Sequence, residues 1–230
     1  DSTVWYTLED GALSEVFAPR IDTQSSRDTQ FVVTDGATFA DREDEATESV
    51  VELVDPRALV YRQVNTATSG RYRITKTYTT DPDRAAVLVD VRFESLDGQP
   101  YQVYVLHDVG LGLNANDDTG RSADGRLLAT DGALSSAVTA SGGLTDTSSG
   151  YLGRSDGWTD LSQDLVLDDR WDATAPGNVV QVGRTGLTGL DGGQQLTLAL
   201  GFGTTEDDAG EAADQALGRG FDAALQAYTE

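Results

Sequence analysis

The 230-residue sequence contains no cysteine, no methionine and a single histidine. Without cysteine, the chain has no disulfides, thiolate metal sites or thiol nucleophiles. One histidine excludes a three-histidine zinc site and an acid–base pair of two histidines. No apolar run reaches about 18 residues, so the sequence predicts no membrane-spanning helix. No signal peptide, Walker loop or dinucleotide fingerprint is found either.

Basic residues are scarce as well. The chain has 39 acidic and 16 basic residues, a formal net charge of −23, and Lys76 is its only lysine. Such a polyanion repels nucleic acid and anionic membranes, so we predict neither as a partner. The acidic excess is typical of a secreted or salt-exposed protein, and calcium binding is the alternative explanation.

Alternation of apolar and polar residues runs through most of the chain and predicts β-strands. In 87–93 the odd positions are apolar, and Leu196, Leu198, Leu200 and Phe202 repeat the pattern. Further strands are predicted at 4–8, 12–17, 31–34, 50–54, 58–64, 72–78, 101–107, 126–129, 134–139 and 179–182. Asp10-Gly11 and Asp131-Gly132 lie between predicted strands and favour type I′ hairpins. The pattern predicts an all-β domain of antiparallel hairpins over residues 1–206.

Residues 207–230 break the alternation and read as an amphipathic helix. Thr205 and Asp208 are placed to cap its start. Gly218 and Gly220 predict a kink or a division into two short helices. Its apolar face requires cover, either on the sandwich itself or in a following helical domain.

The segment DGWTD at 156–160 is a candidate sugar-binding site. Trp158 is suited to stack on a sugar ring while Asp156 and Asp160 bind its hydroxyls. The alternative is a turn whose tryptophan packs into the core.

An oxygen-rich stretch provides a candidate calcium site at Asn114, Asn116 and Asp118. Thr119 and Gly125 stand where an EF-hand loop needs glycine and glutamate, so the alternative is an Asx-rich surface turn. His107 ends an apolar strand and is interpreted as a hydrogen-bonded structural residue.

Two charged features need a structural explanation. By alternation, Lys76 points to the apolar face of its strand, where an ammonium requires a partner. A buried ion pair is possible, but an interface contact or a position at the sheet rim is favoured. The charge run at 41–48 is expected to be a solvated loop or edge strand.

Several stretches together resemble the N-terminal domain of bacterial glucoamylases and glucodextranases, glycoside hydrolase family 15. The stretches are VWYTL (4–8), GALSEVFAPR (11–20), RDTQFVVTDG (27–36), KTYTTDP (76–82), SGYLGRSDGWTD (149–160), GNVVQ (177–181) and LGFG (200–203). The resemblance covers nearly the whole chain in order. Ala18, where the family often has an aromatic residue, and Thr29, where it has an aliphatic one, depart from the pattern.

The resemblance implies a large two-sheet antiparallel super-β-sandwich, similar in architecture to galactose mutarotase, with a C-terminal helical linker segment at 207–230. In that family a downstream helical barrel carries both catalytic glutamates and releases β-glucose with inversion. No catalytic residue is therefore carried over to this chain, and no cofactor is expected apart from possible calcium.

The resemblance leads to the prediction of a non-catalytic, secreted scaffold that packs against the downstream barrel of the same polypeptide. The predicted interface residues are Glu15, Phe17, Arg20, Phe221 and Tyr228. The alternative is a carbohydrate-binding module for α-glucans. A mutarotase-like activity is disfavoured because such enzymes use several histidines.

Overall fold

The computed structural model describes residues 2–112 and 114–228 and consists mainly of two eight-stranded antiparallel sheets packed face to face. Sheet I contains β1 (Trp5–Glu9), β2 (Ala12–Phe17), β3 (Gln24–Ser26), β4 (Asp28–Thr34), β5 (Ala40–Arg42), β10 (Gln102–Asp108), β14 (Thr145–Tyr151) and β15 (Val179–Arg184). Sheet II contains β6 (Thr47–Asp55), β7 (Val60–Ala67), β8 (Tyr72–Thr80), β9 (Ala86–Ser95), β11 (Thr119–Ala123), β12 (Arg126–Thr130), β13 (Ser135–Ala140) and β16 (Gln194–Gly203). The helices are α1 (Glu43–Ala46), α2 (Gly157–Asp164), α3 (Glu206–Arg219) and α4 (Phe221–Gln226). The predicted two-sheet antiparallel sandwich is confirmed.

The main core lies between the two sheets and follows the alternation of the strands. Every second residue of β9, from Val87 to Phe93, faces this core. Tyr72, Phe93 and Tyr101 pack at its centre with ring centroids 5.8 to 6.3 Å apart. Each fully buried side chain of this kind stabilises the fold by roughly 1.5–3 kcal/mol.

Helices cover part of the outer face of each sheet. The alanine stripe of α3 packs with Ala86 and Leu88 on sheet II, whereas Leu161 of α2 packs with Val182 on sheet I. Leu88 lies on the outward face of β9, where polar residues were expected, and it is buried because α3 lies over it. Among the described residues, no helix combines the length and apolar character needed to cross a membrane.

The C-terminal segment confirms the predicted cap and division. The Thr205 hydroxyl accepts a hydrogen bond from the Asp208 amide (3.1 Å), and α3 begins at Glu206. Gly220, with φ 85°, separates α3 from α4. The helices lie on the sandwich, the first of the two predicted placements. Residues 229–230 of the predicted segment lie outside the described residues.

The two predicted Asp-Gly hairpins both form, but one uses a different turn. Asp10 and Gly11 have positive φ values of 44° and 82°, as a type I′ turn requires. At the second hairpin only Gly132 has a positive φ. There the Asp131 carboxylate accepts from the amides of Ala133 and Leu134 (both 2.7 Å), which forms a longer, Asx-stabilised loop.

Lys76 and the acidic run at 41–48 both differ from the prediction, because they meet in one buried ion pair. Lys76 Nζ donates to Glu43 Oε2 (2.8 Å), and both side chains are almost fully buried, at 2% and 0% exposure. Lys76 also donates to the Gly11 carbonyl. Asn65 Nδ2 donates to the Gly11 carbonyl and to the Glu43 carboxylate. The favoured readings of Lys76 as an interface or rim residue are therefore wrong, because α1 carries Glu43 inward to meet it. For the same reason, this part of the acidic run is not solvated.

Candidate functional site

A cleft of about 330 Å³ lies on the outer face of sheet I, beside α2. It is lined by Asp28, Gln30, Arg42, Asp44, Leu106, Asp108, Leu152, Gly153, Asp156, Trp158, Thr159 and Val180. Three of the stretches that carry the family resemblance, 27–36, 149–160 and 177–181, meet here. The cleft is therefore the place where the sequence signals converge.

The floor of the cleft is formed by the alternate residues of β4 and β10. Phe31 and Val105 face the core, so Asp28, Leu106 and Asp108 face outward. Asp28 and Asp108 are direct cross-strand partners. Cross-strand partners place their Cβ atoms about 4.5–5.5 Å apart, so the two carboxyls are neighbours on the floor of the cleft.

Burial perturbs both carboxyls of the floor. Desolvation raises the pKa of Asp28 to about 6, although a hydrogen bond from Gln30 Nε2 (2.9 Å) opposes the shift. Desolvation also raises the pKa of Asp108 to about 6, and the Arg27 guanidinium opposes it. Asp108 Oδ1 is buried without a hydrogen-bond partner among the described residues. The floor therefore changes charge in the mildly acidic range.

One wall of the cleft is built by the N-terminus of α2. Asp156 is its N-cap and accepts from the Thr159 amide and hydroxyl (both 2.9 Å) and from the Gly153 amide. Trp158, one residue into the helix, is half-buried and packs on the outer cluster of sheet I. The DGWTD segment is thus a helix start rather than a simple turn.

Arg42 closes one side of the cleft over Trp158. Its guanidinium carbon lies 5.3 Å from the centre of the Trp158 ring and it is paired with Asp44 (2.8 Å) and Glu45 (2.7 Å). Asp44 and Glu45 thereby hold the guanidinium in place, and it covers part of one face of the Trp158 ring.

The predicted sugar-binding residues are brought together only in part. Trp158 and Asp156 line the cleft, whereas Asp160 lies outside it and accepts from the amides of Asp168 and Asp169 (both 2.9 Å). The sequence reasoning missed Asp28 and Asp108. Both residues occupy outward positions, where polar residues are ordinary in a sandwich strand, so no local signal singled them out.

The arrangement suits binding better than glycosidic bond cleavage. An inverting glycosidase needs two carboxyls on opposite sides of the scissile bond. Asp28 and Asp108 are neighbours on the floor, while Asp156 and Asp44, which also line the cleft, accept hydrogen bonds from the α2 backbone and from Arg42. The cleft offers the Trp158 side chain and several carboxylate oxygens, which are groups that can hold a polyhydroxyl ligand.

The predicted calcium residues point in different directions. Asn114 and Asn116 are exposed, whereas the Asp118 side chain is buried and accepts from the Leu111 amide (3.2 Å). Burial raises the pKa of Asp118 to about 6. In the described part of the chain, the carboxylates close enough to share an ion are those of Asp160, Asp164 and Asp168, within 4.8 Å of one another. Calcium binding stays a prediction.

His107 is buried in the core, and its Nδ1 lies 2.9 Å from the Thr29 hydroxyl, in agreement with a structural role. Desolvation lowers the pKa of His107 to about 4, which keeps the imidazole neutral. Thr29 is thus the hydrogen-bonding partner of this buried histidine.

The predicted interface residues occupy two regions. Glu15 and Arg20 are exposed, and Phe17 is half-buried opposite Trp5 on the outer face of sheet I. Phe221 packs against the alanine cluster beneath α3, and the Tyr228 hydroxyl is hydrogen-bonded to that of Thr80. Part of the surface of Phe221 and Tyr228 is therefore already in contact with the sandwich itself.

The fold and the cleft define a large antiparallel β-sandwich domain with a carboxylate-lined cleft on one outer face. Residues 1–230 match the family model described as "Glucodextranase, domain N", so the chain belongs to that family. The family resemblance read from the sequence is confirmed.

Two relatives are similar over the whole chain. A glucoamylase from Clostridium sp. (strain G0005) is 32% identical over 235 residues, which cover 100% of this chain and 33% of that protein. A crystal structure of a bacterial glucoamylase complexed with acarbose superposes with a TM-score of 0.89 at 30% identity. The match covers 99% of this chain and 35% of that one. The chain therefore spans about a third of the length of each of these relatives.

Proposed function

We propose that this chain is the non-catalytic β-sandwich domain of a secreted, exo-acting glycoside hydrolase that hydrolyses α-glucan with inversion. In this proposal the domain packs against the catalytic barrel of the same polypeptide and stabilises it. The observation that carries the proposal is the match of the whole chain to one family and to only a third of a glucoamylase.

The chemistry of the described residues supports a non-catalytic role for this domain. The space between the sheets is packed mainly with apolar side chains, and the Asp28 and Asp108 carboxyls lie side by side rather than on opposite sides of a bound sugar. The acidic surface charge supports an extracellular location. Hydrolysis is therefore assigned to a region outside this domain.

The test compares the catalytic region of the parent polypeptide with and without residues 1–230. We expect its melting temperature and soluble yield to fall when the domain is removed, because apolar surface is exposed at the lost interface. Equal melting temperatures would contradict the scaffold role, and glucose release by the purified 230-residue chain would contradict the non-catalytic assignment.

A second candidate function is α-glucan binding at the cleft. The specific observation is Trp158 beside the Asp28–Asp108 floor in a space of about 330 Å³. Calorimetry with maltooligosaccharides and isomaltooligosaccharides tests it. Trp158→Ala should abolish the binding heat, whereas Trp171→Ala, a control at a 54% exposed tryptophan outside the cleft, should not. No heat from the wild-type chain at millimolar ligand would reject this function.

A further inference from the structure

The two edges of sheet II are protected very differently. At the β11 edge, the segment 172–177 adds backbone hydrogen bonds, including Thr174 N to Gly120 O (2.8 Å) and Gly177 N to Asp118 O (2.8 Å). At the opposite edge, β6 pairs with β7 on one side only. Within 2–112 and 114–228, no backbone hydrogen bond to residues 48–54 comes from the other side. Bare edges of this length invite pairing or docking.

The exposed edge is also apolar. Val50, Val51, Leu53 and Val54 of β6 are 67%, 45%, 48% and 43% exposed. Val51 and Leu53 share the inward side of the strand with Gln63 and Tyr61, yet no strand of sheet I covers them. Trp5 and Leu59, which line a hollow together with Tyr61 of β7, are also exposed. We call these six residues the β6 edge patch. Exposed apolar residues gathered along an unpaired edge strand mark an interaction site.

The local negative charge at this edge is lower than on the rest of the acidic surface. Two of the three acids of β6 are paired with nearby arginines, Glu52 with Arg62 and Asp55 with Arg57 (both 2.9 Å). On a chain of net charge −23, this leaves the patch close to neutral. A neutral apolar patch on an acidic surface favours burial against an apolar partner, since little charge has to be desolvated.

The C-terminal helices end beside the same edge. A hollow of about 410 Å³ is lined by Trp5, Leu59 and Tyr61 together with Tyr228, which follows α4. Tyr61 pairs with Leu53 of the patch. Any polypeptide joined beyond residue 230 therefore starts within a few residues of the hollow, since each residue spans less than about 3.8 Å. A tether this short gives a high effective concentration at the patch.

We propose that the β6 edge patch is the surface on which the catalytic region of the parent polypeptide docks, through apolar contacts to Val51, Leu53 and Leu59. This inference rests on the proposed function and locates its interface. It moves the centre of the contact from the predicted residues Glu15, Phe17 and Arg20 to the β6 edge and keeps Tyr228 at its margin.

A second copy of this chain is a weaker occupant. Two copies would bring two charges of −23 together, and the patch carries no basic surplus to offset them.

The experiment measures hydrogen exchange of residues 47–55 in the 230-residue chain and in the full parent polypeptide. We expect exchange in the parent to be at least about tenfold slower, because the bare side of β6 is covered. Val51→Lys should leave the melting temperature of the isolated chain nearly unchanged and lower that of the parent. Leu96→Lys is the matched control, since Leu96 is also 45% exposed but lies outside the patch, and it should change neither.

Each other outcome decides between the proposals. Equal exchange in both forms, with a catalytic region that still loses stability when residues 1–230 are removed, overturns the docking surface but keeps the scaffold role. A catalytic region indifferent to removal rejects the scaffold role itself. If the isolated chain sediments as a dimer that Val51→Lys dissociates, a second copy is the occupant and the inference is wrong.

Discussion

Lys76 shows how one buried residue ties separate parts of the fold together. It reaches from β8 of sheet II to Glu43 of α1 and to the β1–β2 turn of sheet I at Gly11. Glu43 also accepts from the Phe31 amide (2.7 Å) and from Asn65. The pair is thus neutralised and hydrogen-bonded, the condition under which a buried charge is tolerated.

Lys76→Met should destabilise the chain by about 3–5 kcal/mol, because it leaves the Glu43 carboxylate buried without its counter-charge. Chemical denaturation with linear extrapolation measures the loss. Adding Glu43→Gln should recover part of it. Arg62→Met, which removes the partner of the exposed Glu52, is the control and should cost less than about 1 kcal/mol. A Lys76→Met loss as small as the control would contradict the buried pair.

The floor of the cleft makes stability depend on pH through Asp108. Its folded pKa of about 6 lies above the unfolded value of about 3.9. A group of this kind stabilises the fold when protonated, and that contribution is lost as the pH rises through about 6. Asp28 acts in the same direction, whereas His107, with its lowered pKa, acts in the opposite one.

Asp108→Asn should therefore raise the melting temperature relative to the wild type, by a margin that is near zero at pH 4, grows up to about pH 6 and stays constant above it. The effects of His107 and of groups uncoupled to Asp108 cancel in this difference. Asp172→Asn, at an exposed carboxylate, serves as the control and should give no such trend. A margin that shrinks as the pH rises would show that ionised Asp108 is stabilised in the fold.

At the scale of elements, the close approach of α3 to β16 is set by glycine. A Cβ on Gly201 would lie 2.2 Å from the Ala209 carbonyl oxygen and 2.5 Å from the Ala213 nitrogen. Both neighbours are helix backbone, so no side chain can move aside. The alanines of α3 pack on the strand at this distance and bury Leu88 and Ala199 beneath them.

Gly201→Ala should consequently destabilise the chain by several kcal/mol, as overpacking against backbone does. Gly210→Ala is an informative partner, because its Cβ would meet no atom within 4 Å and the residue lies inside α3. Replacing a helical glycine by alanine should stabilise by about 0.5–1 kcal/mol. Denaturation curves giving the same sign for both variants would refute the predicted contact.

The strands that were predicted from the sequence are those whose own residues alternate between apolar and polar. β2 was predicted with its bounds, and β9 and β16 by their alternation. β11 (TGRSA) and β14 (TDTSSGY) were missed because they carry almost no apolar residues and owe their pairing to neighbouring strands. α2 was missed because eight residues hold too little periodicity to distinguish a helix from a turn.

The cleft was predictable to a similar extent. Trp158 and Asp156 were found from local composition, since an aromatic residue flanked by acids is visible in sequence. Asp28 and Asp108 were not, because they are 80 positions apart and become neighbours only through the β4–β10 register. The bare edge at β6 also could not be foreseen, since alternation says which side a residue faces but not whether another sheet covers it.

At the scale of the whole molecule, the charge of −23 acts against the compact state. The ion pairs of the described residues take up arginines mostly at partly exposed sites, where each contributes little. The remaining acids repel one another over distances comparable to the Debye length, which falls from about 30 Å at 0.01 M salt to about 3 Å at 1 M.

Raising NaCl from about 0.01 M to about 1 M at pH 7.5 should therefore increase the melting temperature, because screening removes more repulsion than attraction. Calorimetric scans at several pH values provide the control within one protein. The increase should diminish as the pH is lowered toward the sequence pI of about 4.1, where the net charge vanishes. A melting temperature that falls with salt at pH 7.5 would mean that the ion pairs outweigh the repulsion, and the acidic surface would then need a different physical explanation.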